Sequence, residues 1–108
     1  MSDIEFHSVA KTDDLDEGEA MQVIIGRKEI AIYNLDGKFY ATDDICTHAY
    51  ASLADGYVEG ELIECPLHGG CFEIKTGKAM TPPVSEDLKT YELKIDGEQI
   101  LIGVPTDG

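Results

Sequence analysis

Basic residues are scarce in this chain. Eight Lys and Arg stand against 22 Asp and Glu, a formal net charge of −14. Binding phosphate backbones takes Lys and Arg, so nucleic acid and anionic membrane surfaces are poor partners. Acidity of this size keeps a protein soluble, and it would also steer the chain toward positively charged faces on partners. Arg27 is the one arginine, which excludes a twin-arginine export signal. Met1-Ser2-Asp3-Ile4-Glu5 has neither a positive n-region nor an apolar h-region. No apolar run approaches the ~20 residues that cross a bilayer as a helix. A cytoplasmic protein without membrane contact is expected. Cysteine is sparse too: Cys46, Cys65 and Cys71 are too few for a disulfide framework once two of them are used otherwise.

What is abundant is β signal. At 108 residues the chain is one domain, able to bury roughly two-thirds of its unfolded surface. Residues 4–10 read as a short strand, and 11–20 as an acidic, turn-rich loop or single helical turn. Met21, Val23 and Ile25 alternate with Gln22 and Ile24. After a turn at Gly26-Arg27-Lys28, Ile30-Ala31-Ile32-Tyr33 continues. Asp36-Gly37 between β-rich runs is a strong hairpin signal, and Phe39-Tyr40-Ala41 follows. Leu62 to Cys65 and Phe72 to Lys75 are further strands, with Thr76-Gly77-Lys78 as a turn. Met80-Thr81-Pro82-Pro83 reads as a stiff extended loop, since two prolines fix φ and remove two donors. Tyr91, Leu93 and Ile95 alternate with polar residues as a half-buried strand, Asp96-Gly97 turns it, and Ile100 to Val104 is its antiparallel partner. About eight short strands without helical period predict an all-β fold, an antiparallel β-sandwich or barrel.

The chemistry is concentrated in Cys46-Thr47-His48, then sixteen residues, then Cys65-Pro66-Leu67-His68. Thiolate with imidazole favours zinc or an iron–sulfur centre over hard cations. Structural zinc usually takes Cys-x₂₋₄-Cys with His-x₃₋₅-His, each hairpin giving ligands of one kind. Here each loop offers one sulfur and one nitrogen, the arrangement needed to put both thiolates on one iron of a two-iron cluster and both imidazoles on the other.

These two boxes, with Gly69-Gly70 after the second, resemble the signature boxes of Rieske [2Fe–2S] proteins. Asp55-Gly56-Tyr57, Phe72 with Thr76-Gly77-Lys78, and Pro82-Pro83 are similar to the linking segment, hairpin and proline loop of the small Rieske ferredoxins that serve bacterial ring-hydroxylating dioxygenases. The resemblance implies a Rieske fold over residues 1–108. A basal β domain would be built from both chain ends, and a cluster-binding subdomain at about 43–83 inserted between them. It implies one Rieske [2Fe–2S] cluster held by Cys46, His48, Cys65 and His68, with the proline loop over it. Tyr50 and Leu53 would pack over or beside it, and Cys71 is given no ligand role.

The expected protein is a monomeric one-electron carrier and not an enzyme. Its electrons would come from an NADH-dependent flavoprotein ferredoxin reductase and go to a terminal Rieske oxygenase acting on aromatic rings. An oxygenase needs a second, mononuclear iron site, usually two His and a carboxylate. Only His7 remains outside the motif. Two alternatives stand beside this: the small Rieske-type subunit of an assimilatory nitrite reductase, and a zinc-stabilised binding module.

Further expectations follow from what the boxes lack. High-potential respiratory Rieske proteins carry a disulfide where this chain has Ala51 and Leu67. They place Ser and Tyr hydroxyls on the cluster sulfurs where it has Gly70 and Phe72. Fewer donors to sulfur imply a potential near the low end of the Rieske range, about −150 mV rather than about +300 mV. Gly70 is expected to need a backbone angle that serine tolerates poorly. Asp43, Asp44 and Asp55 are the docking candidates near the boxes.

Overall fold

The computed structural model describes residues 4–47, 50–67, 69–82 and 84–105. Among them are ten strands: β1 (Ile4–Lys11), β2 (Ala20–Ile25), β3 (Lys28–Leu35), β4 (Lys38–Asp43), β5 (Tyr57–Glu59), β6 (Leu62–Glu64), β7 (Cys71–Glu73), β8 (Ala79–Thr81), β9 (Thr90–Asp96) and β10 (Gln99–Pro105). The only helical pieces among the described residues are single 3₁₀ turns at Thr12–Asp14 and Leu53–Asp55.

Two sheets result, and all pairing is antiparallel. A six-stranded sheet runs β1-β10-β9-β4-β3-β2, and its end strands β1 and β2 approach each other, closing it into a half-barrel. It is built from both ends of the chain. A four-stranded sheet, β5-β6-β7-β8, is a simple meander of the residues between.

The hairpins follow from local chemistry. Asp36 and Gly37 have φ of 60° and 90°, the two left-handed positions that a two-residue hairpin matching strand twist requires. The Asn34 side chain locks this turn: its Oδ1 accepts from the Gly37 amide at 2.9 Å and its Nδ2 donates to the Leu15 carbonyl at 2.9 Å.

Strand β3 joins the two sheets, because residues 30–35 are buried on both faces. Alternate side chains of a strand point opposite ways. Ile30 and Ile32 accordingly fill the half-barrel with Val23, Ile100, Ile102 and Val104. Ala31, Tyr33 and Leu35 face the other way and pack with Leu53, Ile63, Phe72 and Ile74. Burying one such side chain contributes about 1.5–3 kcal/mol, so this second cluster fastens the meander to the half-barrel. The Tyr33 hydroxyl reaches Thr42 Oγ1 at 2.8 Å, and Thr42 donates onward to the Asp43 carbonyl at 2.8 Å.

Three expectations need correcting. Tyr57–Glu59, not read as a strand, is β5, paired with β6 through Val58↔Ile63. The stretch expected to be an extended loop from Met80 begins as strand β8, which pairs Cys71↔Thr81 and Phe72↔Ala79. Strands of three residues are too short to show a period, and pairing partners decide them. Ile95, expected on the buried face of β9, is 44% exposed, at the hairpin end beside the turn. Pro83 lies outside the described residues.

Candidate metal centre

Strand β4 delivers the chain to Cys46, and a compact loop returns it. The Cys46 amide donates to the Ala51 carbonyl at 3.0 Å, Ile45 bridges Ser52, and the Leu53 amide donates to the Asp44 carbonyl at 2.6 Å. The Asp44 side chain closes the loop from inside. It accepts from Gln22 Nε2 at 2.6 Å, Ser52 Oγ at 2.6 Å and the Ala54 amide at 2.9 Å. Asp44 was a docking candidate. It is fully buried instead, because three donors converge on it.

Strand β6 delivers Cys65 to a still tighter loop. The Cys65 amide donates to the Gly70 carbonyl at 2.8 Å, and the Gly69 amide to the Cys65 carbonyl at 3.3 Å. Gly69 has φ +76°, which an L-residue adopts only under strain. Gly70, expected to carry that constraint, does not have a positive φ. Its restriction is packing: a Cβ there would lie 2.7 Å from Val84 Cγ1.

The two loops bring Cys46 and Cys65 together. Both thiols are free and buried, and the Cys46 side chain is near enough to Cys65 to perturb its thiol. Burial pushes the Cys65 thiol above its ordinary value, Cys46 adds to this, and the Leu67 backbone amide, bonded to the sulfur, pulls the other way. A buried thiol pair ionises when a metal supplies the positive charge. Two converging, unbridged, buried sulfurs with an amide donor beside them fit one iron of a two-iron cluster. The expected imidazole ligands His48 and His68 lie outside the described residues. Cys71 stands apart, its sulfur 3.7 Å from the Gly69 carbonyl.

A third segment clasps both boxes. The Thr47 hydroxyl donates to the Glu86 carbonyl at 2.8 Å, and Val84 packs on Gly70 and joins the buried cluster containing both cysteines. The segment is held in turn by Ala79 N donating to Asp87 Oδ1 at 2.9 Å and Leu88 N to the Gly77 carbonyl at 2.7 Å. Val84 and Glu86 were missed in the sequence, where only the two prolines marked this region.

Three large apolar side chains are exposed around the boxes. Tyr50, Leu67 and Met80 are 86%, 53% and 49% exposed. Leu53, expected with Tyr50 over or beside the site, is fully buried in the core cluster that contains both cysteines. Asp43 accepts from the Tyr91 hydroxyl at 2.5 Å, while Asp55 is exposed. A separate cleft of about 590 Å³, lined by Asp36, Lys38, Tyr40, Gly60, Glu61 and Lys75 among others, lies at the opposite ends of β4 and β6. None of its lining residues is Cys or His.

A family model described as the Rieske [2Fe-2S] domain matches residues 5–92. The ferredoxin component of the naphthalene 1,2-dioxygenase/salicylate 5-hydroxylase systems of Ralstonia sp is 47% identical over 90 residues, covering 83% of this chain and 86% of that protein. The ferredoxin of Sphingomonas yanoikuyae B1 superposes with a TM-score of 0.89 at 37% identity, over 94% of this chain and 100% of that one. A chain from the complex of reduced oxygenase and oxidized ferredoxin in carbazole 1,9a-dioxygenase matches with a TM-score of 0.85 at 34% identity, over 90% and 91% of the two chains. A putative nitrite reductase small subunit, with a TM-score of 0.77, is only 24% identical over 91% of this chain and 97% of that one, a likeness of fold alone.

Proposed function

Because this chain belongs to the Rieske [2Fe–2S] family, we propose that it is the electron-carrying ferredoxin of an aromatic-ring dioxygenase system, and not itself a catalyst. The observation that carries this reading is the buried pair Cys46 and Cys65, presented by two separately braced loops. When bound, a [2Fe–2S] cluster supplies one reversible electron and no bond-breaking chemistry. Cys46 and Cys65 would hold one iron, and His48 and His68 the other. The Leu67 amide would donate to the ligand sulfur, and Leu53, Ile63, Phe72 and Val84 would keep water from the thiolate side.

A carrier needs rigidity at the centre and access at one edge. The Asp44 and Thr47 hydrogen bonds provide the first. The exposed Tyr50, Leu67 and Met80 would form an apolar contact face for partners. The acidic surface around it would favour association with positively charged docking faces. Electrons would arrive from an NADH-dependent flavoprotein reductase and leave to the terminal oxygenase, the ferredoxin acting as a monomer in the cytoplasm. The half-barrel would be the basal domain, and residues at about 43–83 the cluster-binding subdomain. A nitrite reductase subunit is the weaker alternative, since the likeness there is of fold alone.

The test is electron paramagnetic resonance of the dithionite-reduced protein, followed by reconstitution with a dioxygenase reductase and oxygenase. A mixed Cys/His cluster signal and product formation dependent on this chain are expected. A colourless zinc protein would sink the proposal.

A further inference from the structure

Among the described residues, no cation faces the buried side chain of Asp44. Its side chain is fully buried, and all three groups it meets, the Gln22 amide, the Ser52 hydroxyl and the Ala54 amide, are donors. That set complements an ionised carboxylate, which only accepts. Among the described residues, the ion pairs are Glu5 with His7 and Glu61 with Lys75, so no Lys, Arg or His pairs with Asp44. Among the described residues, only neutral dipoles face the carboxylate.

Asp44 stands two residues before Cys46, which limits their Cα separation to about 7 Å. We infer that the buried Asp44 carboxylate lowers the reduction potential of the centre held by Cys46 and Cys65, while its hydrogen bonds position the Cys46 loop. The inference rests on the cluster assignment above. Reduction adds one negative charge to that centre, and a fixed anion nearby opposes it. At the effective dielectric of about 20 that suits protein sites, a unit charge about 7 to 12 Å away changes the equilibrium by roughly fiftyfold to tenfold, and tenfold is about 59 mV for one electron. Solvent ions do not reach a buried carboxylate, so salt screens the effect poorly. The donors act with the opposite sign. Removing one leaves the carboxylate less compensated and makes reduction harder.

The experiment is a redox titration of the holoprotein, at low and high salt, for the wild type, Asp44→Asn, Gln22→Leu, Ser52→Ala and the exposed control Asp55→Asn. Asparagine can keep the Ala54 contact through its oxygen, and Ser52 and Gln22 can turn to accept from its amide, so the loop geometry is retained. Asp44→Asn should favour reduction by roughly tenfold at both salt concentrations, beyond the change in Asp55→Asn. Gln22→Leu and Ser52→Ala should disfavour it. Asp44→Asn with an intact visible spectrum and a potential no higher than that of Asp55→Asn would overturn the inference. A shift that vanishes at high salt would do the same. If Asp44→Asn loses its cluster, the two donor variants decide: a fall in potential supports the role, and no change or a rise overturns it. A wild-type protein without a cluster spectrum would remove the cluster assignment itself, a failure distinct from all of these.

Discussion

The Thr47 hydroxyl and the Glu86 carbonyl, 39 residues apart, meet at 2.8 Å. The bond lies beside Cys46 in the first box and ties it to the segment whose Val84 packs on Gly70 of the second. Three stretches of chain are therefore joined without a disulfide. The Cys46 amide to Ala51 carbonyl bond closes the first loop where the respiratory relatives are expected to carry a cysteine.

Thr47→Val removes the donor while keeping the shape, and a hydrogen bond of this kind is worth about 0.5–1.5 kcal/mol. The variant should lose that much in urea denaturation and release its iron faster to a chelator. Thr47→Ser should restore both. Equal release rates in the three proteins would show that the clasp does not hold the first box.

Ligand replacement should act on folding as well as on colour, because metal-binding energy is folding energy. Cys46→Ser and Cys65→Ser are expected to purify without the visible spectrum and with clearly lowered melting temperatures. Cys71→Ala should keep both, its sulfur being engaged, among the described residues, with the Gly69 carbonyl alone. Iron analysis together with thermal melting checks this. An iron-free Cys71→Ala protein would put a third sulfur into the ligand set.

Much of this architecture is written locally. Asp36-Gly37 dictates its own turn, and the alternating run through Ile30 and Tyr33 marks a strand wherever its partners lie. The pairing of Cys46 with Cys65 was expected because each opens a short box that offers one sulfur and one nitrogen. Asp44 was not legible. It resembles its neighbour Asp43 in sequence, and its burial depends on Gln22 from β2 and on Ser52 across the loop. The clasp by Val84 and Glu86 was hidden for the same reason, since only the folded chain puts them over the boxes. The strands β5 and β8 were missed because three residues cannot display a period of two.

Alkaline stability should be set largely by two tyrosines. Burial raises the Tyr33 phenol well above its usual range, and burial with the Asp43 carboxylate raises Tyr91. For a group raised on folding, the stabilising contribution is complete below the unfolded value of about 10 and is lost as pH climbs through the folded one. Stability should thus be flat with respect to these groups up to about pH 10 and then fall, Tyr33 giving a slope of about 1.4 kcal/mol per pH unit. Tyr33→Phe sacrifices the Thr42 hydrogen bond at neutral pH but should flatten the alkaline limb. Urea melts from pH 8 to 11.5 test this, and an unchanged limb in Tyr33→Phe would exclude the buried phenol as its source.

Association with partners should respond to salt. With a net charge of −14, electron-transfer rates to reductase and oxygenase should fall as the Debye length shrinks from about 10 Å at 0.1 M to about 3 Å at 1 M. Asp55→Asn should weaken that dependence, being exposed beside the first box. Stopped-flow rates across this range decide it, and salt-insensitive transfer would leave the acidity a role in solubility only.

Gly70 and Phe72 allow the low potential to be tested by adding the missing hydroxyls. A serine at 70 has no backbone obstacle, since φ there is not positive, but its Cβ would sit 2.7 Å from Val84 Cγ1 and 3.3 Å from the Thr81 carbonyl. Contacts under 3 Å force a shift, and here the segment that must move is the one clasping both boxes. Gly70→Ser alone should therefore loosen the site and obscure any redox effect. Val84→Ala removes the offending methyls, at a cost of roughly 1–3 kcal/mol for the cavity it opens. The double variant Gly70→Ser/Val84→Ala should bind its cluster with a potential above that of Val84→Ala, because a hydroxyl donor to sulfur stabilises the reduced charge. Phe72→Tyr is the cleaner but costlier change. The ring is fully buried, so its new hydroxyl either finds a sulfur and raises the potential, or lies unpaired and costs about 1–3 kcal/mol. Voltammetry read beside urea melts separates those outcomes. A double variant with full cluster content and a potential equal to that of Val84→Ala would show that donors at position 70 do not set the potential of this centre.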